Sequence, residues 1–199
     1  GVLLYYINAA GSDYIAIELR EGIPWFFFDA GSGPAAIQPD LMWQDVTFND
    51  GEWHSVTASQ ISRAGSISVD GTYAGSGESA GSSQVISSRQ VLYVGGIPQG
   101  VPRSSTLGLG DPTTTLSGGS YAGCLYRLTL NGGVLDFESG TDLLVGGLMA
   151  APTDIPGCPV RIEPGLSFLG GGFLSYPPDT LHTSSFSWGF DLRTTHSQG

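Results

Sequence analysis

The sequence predicts an all-β protein, an antiparallel β-sandwich, and three observations carry that prediction. Short apolar or alternating segments recur at regular intervals, divided by Asp-Gly, Asn-Gly and Gly-Gly steps that turn a chain. Glycine (31) and proline (12) are abundant, and both interrupt helices. No stretch holds an amphipathic helical period over three turns, although Thr141 to Ala150 has room for one short helical turn.

Val2 to Ile7 is continuously apolar and fits a strand buried on both faces. Asp13 to Arg20 alternates, with Tyr14, Ala16 and Glu18 set against Ile15, Ile17 and Leu19. Glu21-Gly22 turns the chain into a strand over Pro24 to Ala30, whose aromatics run from Trp25 to Phe28 and favour packing on both faces over an exposed stripe. Ala35 to Gln38 resumes a strand after a Gly-rich loop. Asn49-Asp50-Gly51 announces another from Glu52 to Ala58, with Trp53 too near its start for its parity to be fixed. Ser66 to Val69 and Thr72-Tyr73 pair across Asp70-Gly71, and the small polar run Gly75 to Ser83 reads as a loop. Val91 to Val94 is a short strand. Gln99 to Ser120 reads as one long surface loop, of a length that is usually functional.

From Tyr121 the period of two returns: Leu125, Arg127 and Thr129 oppose Tyr126, Leu128 and Leu130. Asn131-Gly132-Gly133 accepts positive φ and predicts a hairpin return through Val134, Asp136 and Phe137. After Cys158 the pattern starts again with Leu166–Leu169, Phe173–Tyr176 and the alternating Phe186, Trp188 and Phe190.

Composition narrows function. The formal net charge is −11, and all seven basic residues are arginines, so a nucleic-acid or other polyanion partner lacks the cationic run it needs. No apolar run reaches membrane-spanning length. The two cysteines, Cys124 and Cys158, fit either one disulfide of an extracellular protein or two reduced buried thiols. A bridge would close a loop worth on the order of 3 kcal/mol in the chain-entropy model. His54 sits in a strand pattern, where packing is the expected role, and His182 and His196 lie in Thr/Ser-rich turns. No Gly-x-Ser-x-Gly elbow and no Cys/His metal spacing occurs. Glu18 with Glu21, or Asp45 with Asp50, is the remaining carboxylate pairing for a glycosidase reading.

In order and spacing, several pieces resemble the laminin G-like family. They are Gly1-Val-Leu-Leu-Tyr, Asp13-Tyr-Ile-Ala-Ile-Glu-Leu, Phe28-Asp-Ala-Gly-Ser-Gly-Pro, Asn49-Asp-Gly-Glu-Trp-His-Ser-Val, Val69-Asp-Gly, Tyr93-Val-Gly-Gly and Tyr121-Ala-Gly-Cys with Leu130-Asn-Gly. The resemblance implies a jelly-roll sandwich with a C-terminal disulfide, and Cys124 and Cys158 fall on those positions. It divides the chain into residues 1–160, a domain lacking its first strand pair, and residues 161–199, a linker and the first strand pair of the next repeat. The chain then reads as a fragment. A tail folding back into the vacancy would complete the sandwich in circularly permuted fashion.

The same resemblance implies an extracellular adhesion or matrix-interaction module, not an enzyme. Its protein or glycan ligand would be met by rim loops Ala30–Pro34, Gly75–Ser83 and Gln99–Ser120, with Ser32, Ser82, Arg103 and Asp111 as candidate contacts and neighbouring repeats as further partners. Many members hold Ca²⁺ on this rim through side-chain and backbone oxygens. Here the loop after Pro24–Ala30 has no acid between Gly31 and Gln38, which leaves Asp111 and Glu78 as candidate metal oxygens. Asp29 is expected to satisfy its own turn instead. Two readings stand beside this one: a lectin-like carbohydrate-binding module, favoured if Trp25, Tyr73 or Trp188 is exposed on the concave sheet, and a jelly-roll glycoside hydrolase.

Overall fold

A computed structural model describes residues 1–8, 13–30, 33–42, 44–84, 86, 90–101, 119–135, 165–170, 173–179 and 185–194. Among them every regular element is a strand, and the strands form two sheets. The first has the order β12-β8-β1-β2-β3-β4, with β1 at Val2–Asn8, β2 at Asp13–Arg20, β3 at Ile23–Ala30, β4 at Ala35–Ile37, β8 at Gln90–Val94 and β12 at Leu174–Asp179. The second has the order β10-β9-β13-β5-β6-β7, with β5 at His54–Ile61, β6 at Ala64–Val69, β7 at Tyr73–Glu78, β9 at Ala122–Leu130, β10 at Gly133–Val134 and β13 at Ser185–Arg193. β11, Gly165–Leu169, also pairs with β9.

All of these ladders are antiparallel. The all-β sandwich expected from the sequence is therefore the observed architecture. The C-terminal segment takes part in both sheets. β12 lies along β8, and β13 lies between β5 and β9, with Phe190 opposite Val56 on one side and Leu192 opposite Leu125 on the other.

The core lies between the sheets. Leu4, Tyr6, Ile15, Ile17, Phe26 and Phe28 meet Val56, Ile67, Val69, Leu128, Phe186, Trp188 and Phe190. Tyr6 meets Phe186 and Trp188 edge-on, with centroids 5.5 and 6.1 Å apart. Each such side chain contributes about 1.5–3 kcal/mol by leaving water. A second cluster covers the other face of the first sheet, made by Val2, Tyr5, Ile7, Tyr14, Ala16, Phe27 and Ile97, with Trp25, Tyr93 and Val101 packed against it. The Trp25–Phe28 run is thus shared between two apolar layers, as its composition required. Trp25 stacks on Phe27 in the outer layer, and Phe26 lies beside Phe28 in the inner one. Gln99 to Val101 begins the predicted long loop, of which residues 102–118 lie outside the described set, as does Thr141 to Ala150.

Two expectations are corrected. Gly75 to Ser83 is not all loop: Tyr73–Glu78 is a full edge strand, and only the residues after it turn away. Its small residues answer to packing, because a Cβ on Gly75 would collide with the Gln38 carbonyl oxygen. The strict alternation of residues 125–130 also fails. Arg127 takes φ +55° and is exposed, and Leu125 and Leu128 both enter the core. One extra residue of β9 therefore bulges opposite Phe190, where the β13 register shifts between Gly189 and Asp191. The Asn131-Gly132 turn forms as expected, at φ +50° and +78°.

Because Trp188 is buried in the central strand of the second sheet, Trp188→Ala should lower stability by about 3–5 kcal/mol. Denaturant unfolding should show a lower midpoint at an unchanged slope.

Candidate functional site

The described rim is built where the loop after β3 meets the loop after β7. Asp29, the last residue but one of β3, is fully buried, and its Oδ1 accepts the Gly33 N–H at 3.0 Å. The side chain thus supports its own turn, as its position predicts. Ser79 follows β7, and its hydroxyl donates to the Gly33 carbonyl at 2.6 Å. The β5–β6 turn then joins: the Ser79 N–H donates to the Arg63 carbonyl at 2.9 Å, and Arg63 Nε donates back to the Ser79 carbonyl at 3.2 Å. Arg63 also binds Glu78 at 3.0 Å. That pair is exposed and contributes little stability by itself, but the guanidinium adds a fixed donor to the Ser79 carbonyl.

Of the predicted contact residues, Ser82 is exposed on this rim, one turn beyond Ser79. Ser32, Arg103, Asp111 and Cys158 lie outside the described residues. Sequence reasoning missed Arg63 and Ser79. Neither carries a motif, and their meeting depends on the β5–β6–β7 register.

A cation site at Glu78 does not fit this arrangement. The Glu78 carboxylate is engaged by Arg63, and the Gly33 and Ser79 carbonyls, the kind of oxygens Ca²⁺ takes, accept from Ser79 and Arg63. Among the described residues no group of three or more His, Cys, Asp and Glu side chains converges.

His54 opens β5 and is clamped between two carboxylates. Nδ1 lies 2.8 Å from Asp70 and Nε2 lies 3.0 Å from Asp50, while the ring packs edge-on to Phe48 at 5.1 Å. Asp70 also accepts the Ser55 N–H at 2.8 Å, so the cluster ties the β5 entry to the β6–β7 turn. Burial pulls the imidazole pKa down, but the hydrogen bonds and charges of Asp70 and Asp50 outweigh it and the net shift is upward. The Glu52 N–H and His54 together hold the Asp50 carboxyl below its usual range. The histidine is packed and paired, in keeping with a structural role.

An open groove of about 970 Å³ crosses the outer face of the second sheet. Its floor is a row of small hydroxyls, with Ser187, Ser59, Ser66 and Ser76 side by side across β13, β5, β6 and β7. The Ser59 and Ser66 hydroxyls bond each other at 2.8 Å. Gln38 to Asp40 form one wall.

The aromatic cluster that would favour a lectin is not on this face. The Trp188 ring packs in the core against Tyr6, Trp25 belongs to the other sheet, and half-buried Tyr73 packs on Phe48 and bonds Gln44. Of the glycosidase carboxylates, Glu18 is buried against Arg20 at 2.8 Å, and Asp50 is held by His54.

The two-sheet sandwich, its strand order and its rim define a laminin G-like domain. The laminin G domain pattern matches residues 1–133, and the chain belongs to that family. Usherin of Mus musculus is 30% identical over 193 residues, covering 92% of this chain and 3% of its own length. Pikachurin of Rattus norvegicus is 36% identical over 147 residues, covering 72% of this chain and 13% of its own. The solved structure of mouse laminin alpha1 chain domains LG4-5 superposes with a TM-score of 0.50 at 27% identity, over 68% of this chain and 33% of that one. The chain thus spans a small part of its curated relatives.

The His54 cluster sets a pH dependence. In the unfolded chain the imidazole titrates near its ordinary 6.5, and in the fold it titrates higher. Its stabilisation is complete below that ordinary value and is lost as pH rises through the folded one. The unfolding free energy of the native chain should exceed that of His54→Gln by more at about pH 6 than at about pH 9. An NMR titration of His54 with a midpoint at or below 6.5 would contradict this. The rim gives a second expectation. With Glu78 held by Arg63, any rise of the thermal midpoint in millimolar Ca²⁺ should be the same for the native chain and for Glu78→Gln, and a rise seen in the native chain alone would show that the cation takes Glu78.

Proposed function

We propose that this laminin G domain is an extracellular matrix-interaction module, without catalytic activity, that recognises a protein or glycan ligand through its rim. Its kinship with laminin, usherin and pikachurin supports the extracellular matrix setting. The observation that favours the rim is the Asp29–Gly33–Ser79–Arg63 network, which ties two loops from different sheets into one surface next to exposed Ser82. Fixed loops on a rigid sandwich offer a preorganised contact, and loop sequence then sets the partner. Ser32, Arg103 and Asp111, outside the described residues, remain proposed ligand contacts. Net charge −11 argues against sulfated or other anionic glycans as the main ligand. A second reading, glycan binding on the outer face of the second sheet, has the hydroxyl-lined groove in its favour, but among the described residues no exposed aromatic lines it for a sugar ring to stack on.

The module would be tied together by a Cys124–Cys158 disulfide. In support, Cys124 is buried on β9, and no free cysteine occurs among the described residues. A thiol assay on denatured, unreduced protein should detect no free thiol. Two reactive thiols would remove both the bridge and its support for an extracellular location.

The rim is tested by binding the chain to immobilised matrix proteins and to neutral and sulfated glycans. Ser82→Trp should weaken whichever interaction is saturable by about tenfold, equivalent to about 1.4 kcal/mol, and Ser66→Trp on the groove floor should leave it intact. The reverse pattern would move recognition to the groove, and no saturable binding across the panel would contradict the proposal.

A further inference from the structure

Three steps in the chain set a short carboxylate or carboxamide side chain directly before glycine: Asp50-Gly51, Asp70-Gly71 and Asn131-Gly132. In such a step no side chain shields the glycine nitrogen from the carbonyl carbon of the side chain before it. The fold treats the three differently. The Asp70 carboxylate is held by His54 at 2.8 Å and by the Ser55 N–H at 2.8 Å. Asp50 is held by His54 at 3.0 Å and by the Glu52 N–H at 2.8 Å. Both are engaged, and a carboxylate is a poorer electrophile than an amide carbonyl. Asn131 is such an amide, exposed in the turn between β9 and β10. Its Oδ1 accepts the Ser187 N–H at 2.9 Å, and its own N–H donates to the Ser187 carbonyl at 2.8 Å. Among the described residues no hydrogen bond engages Asn131 Nδ2 or the Gly132 N–H, and Gly132 borders open space.

From this geometry we infer that Asn131 is a site of spontaneous covalent modification, at which the folded chain converts the asparagine to aspartate and isoaspartate through a cyclic imide. The reaction needs only water and hydroxide. The Gly132 nitrogen gives its proton to hydroxide and bonds to Asn131 Cγ. The Cγ–Nδ2 bond breaks, and the nitrogen takes a proton from water and leaves as ammonia. A second water then opens the imide. Cleavage of the new Cγ–N bond leaves aspartate, and cleavage of the original peptide C–N bond leaves isoaspartate, whose main chain runs through Cβ and Cγ. The sum is one water consumed and one ammonia released, with no change of oxidation state.

Three features of the fold favour this chemistry. First, the Ser187 N–H already points at Oδ1, the atom on which negative charge develops as the glycine nitrogen attacks. Second, the leaving nitrogen and the attacking one are both free of protein partners among the described residues, so neither bond change breaks a hydrogen bond. Third, the far side of the turn opens at little cost. β10 is two exposed residues, Gly133 and Val134, at the edge of its sheet, paired with Leu130 and Thr129. Asn131 stays tied to β13 through Ser187 while Gly132 swings toward Cγ. Either product adds a negative charge beside the groove that Gly132 lines. The isoaspartate product also moves Oδ1 into the main chain and so displaces the acceptor that holds the Ser187 N–H of β13. The result is a slow, one-way change set by the age of the chain, and it does not depend on the rim reading.

The test holds the native chain, folded, in mildly alkaline buffer and follows it by peptide mapping with mass spectrometry while released ammonia is measured. Asn131 should convert to two products of equal mass that separate by chromatography, with one ammonia released per chain. The chain's other asparagines, Asn8 and Asn49, are not followed by glycine and should keep their amides. The rate should rise in proportion to hydroxide and lie within about tenfold of that in a peptide of residues 128–135 in the same buffer. Asn131→Gln, whose longer side chain would have to close a larger ring, should release no ammonia over the same period. An intact Asn131 amide in the folded chain at a time when the peptide is fully converted would overturn the inference, as would conversion confined to Asn8 or Asn49. Failure of rim binding would leave this readout unchanged and count against the rim reading alone.

Discussion

The insertion of β13 between β5 and β9 is the constraint on which the rest depends. Among the described residues it is the strand of the second sheet that joins its two parts, β5–β6–β7 and β9–β10 with β11. It also carries the aromatic side chains that Tyr6 of the first sheet packs against. Removing it would separate the sheet halves and open the core together, because ladder and core pass through the same residues. The bulge at Arg127 follows from this. By adding a residue to β9 opposite Phe190, it turns Leu125 and Leu128 toward the same core that Phe190 fills.

The rim depends on the same frame at one remove. β5 carries the Ser62-Arg63 turn to the end of the sandwich, and the register of β6 on β7 brings Ala64 opposite Glu78. That register sets Arg63 beside Ser79 and Glu78, and Ser79 reaches Gly33 of the other sheet. A guanidinium and a serine hydroxyl thus hold two loops together through the Ser79 and Gly33 carbonyl oxygens. On the His54 side of the second sheet, Asp50 and Asp70 join the loop before β5 to the β6–β7 turn in a similar way, through one imidazole.

Most of the strands were legible in the sequence because their signals were local. The Phe186–Trp188–Phe190 alternation marked the strand that became β13, and the Asn131-Gly132 step predicted the turn between β9 and β10. What was not legible depends on contacts distant in sequence. The strand residues Gly75 to Glu78 read as part of a loop because Gly75 and Gly77 are small, but they are small because Ile37 and Gln38 pack against them. The β9 bulge cannot be seen in a period-two pattern whose partner strand lies some sixty positions away, as the Thr129–Gly189 hydrogen bond shows (separation 60). The Arg63–Ser79–Gly33 network has no sequence signal, since any arginine in a tight turn looks solvent-facing. Asp29 was legible, because an aspartate at a strand end before Gly-Ser-Gly commonly caps its own turn.

The claim that β13 is the joining strand is tested most directly by amide hydrogen exchange under native conditions. The Ser187, Gly189 and Asp191 amides lie within the β5–β13–β9 ladders and should exchange only through global unfolding, as slowly as those of Val56 and Ala58 on β5. Exchange of the β13 amides at rates near those of an open chain, with β5 and β6 still protected, would contradict the account.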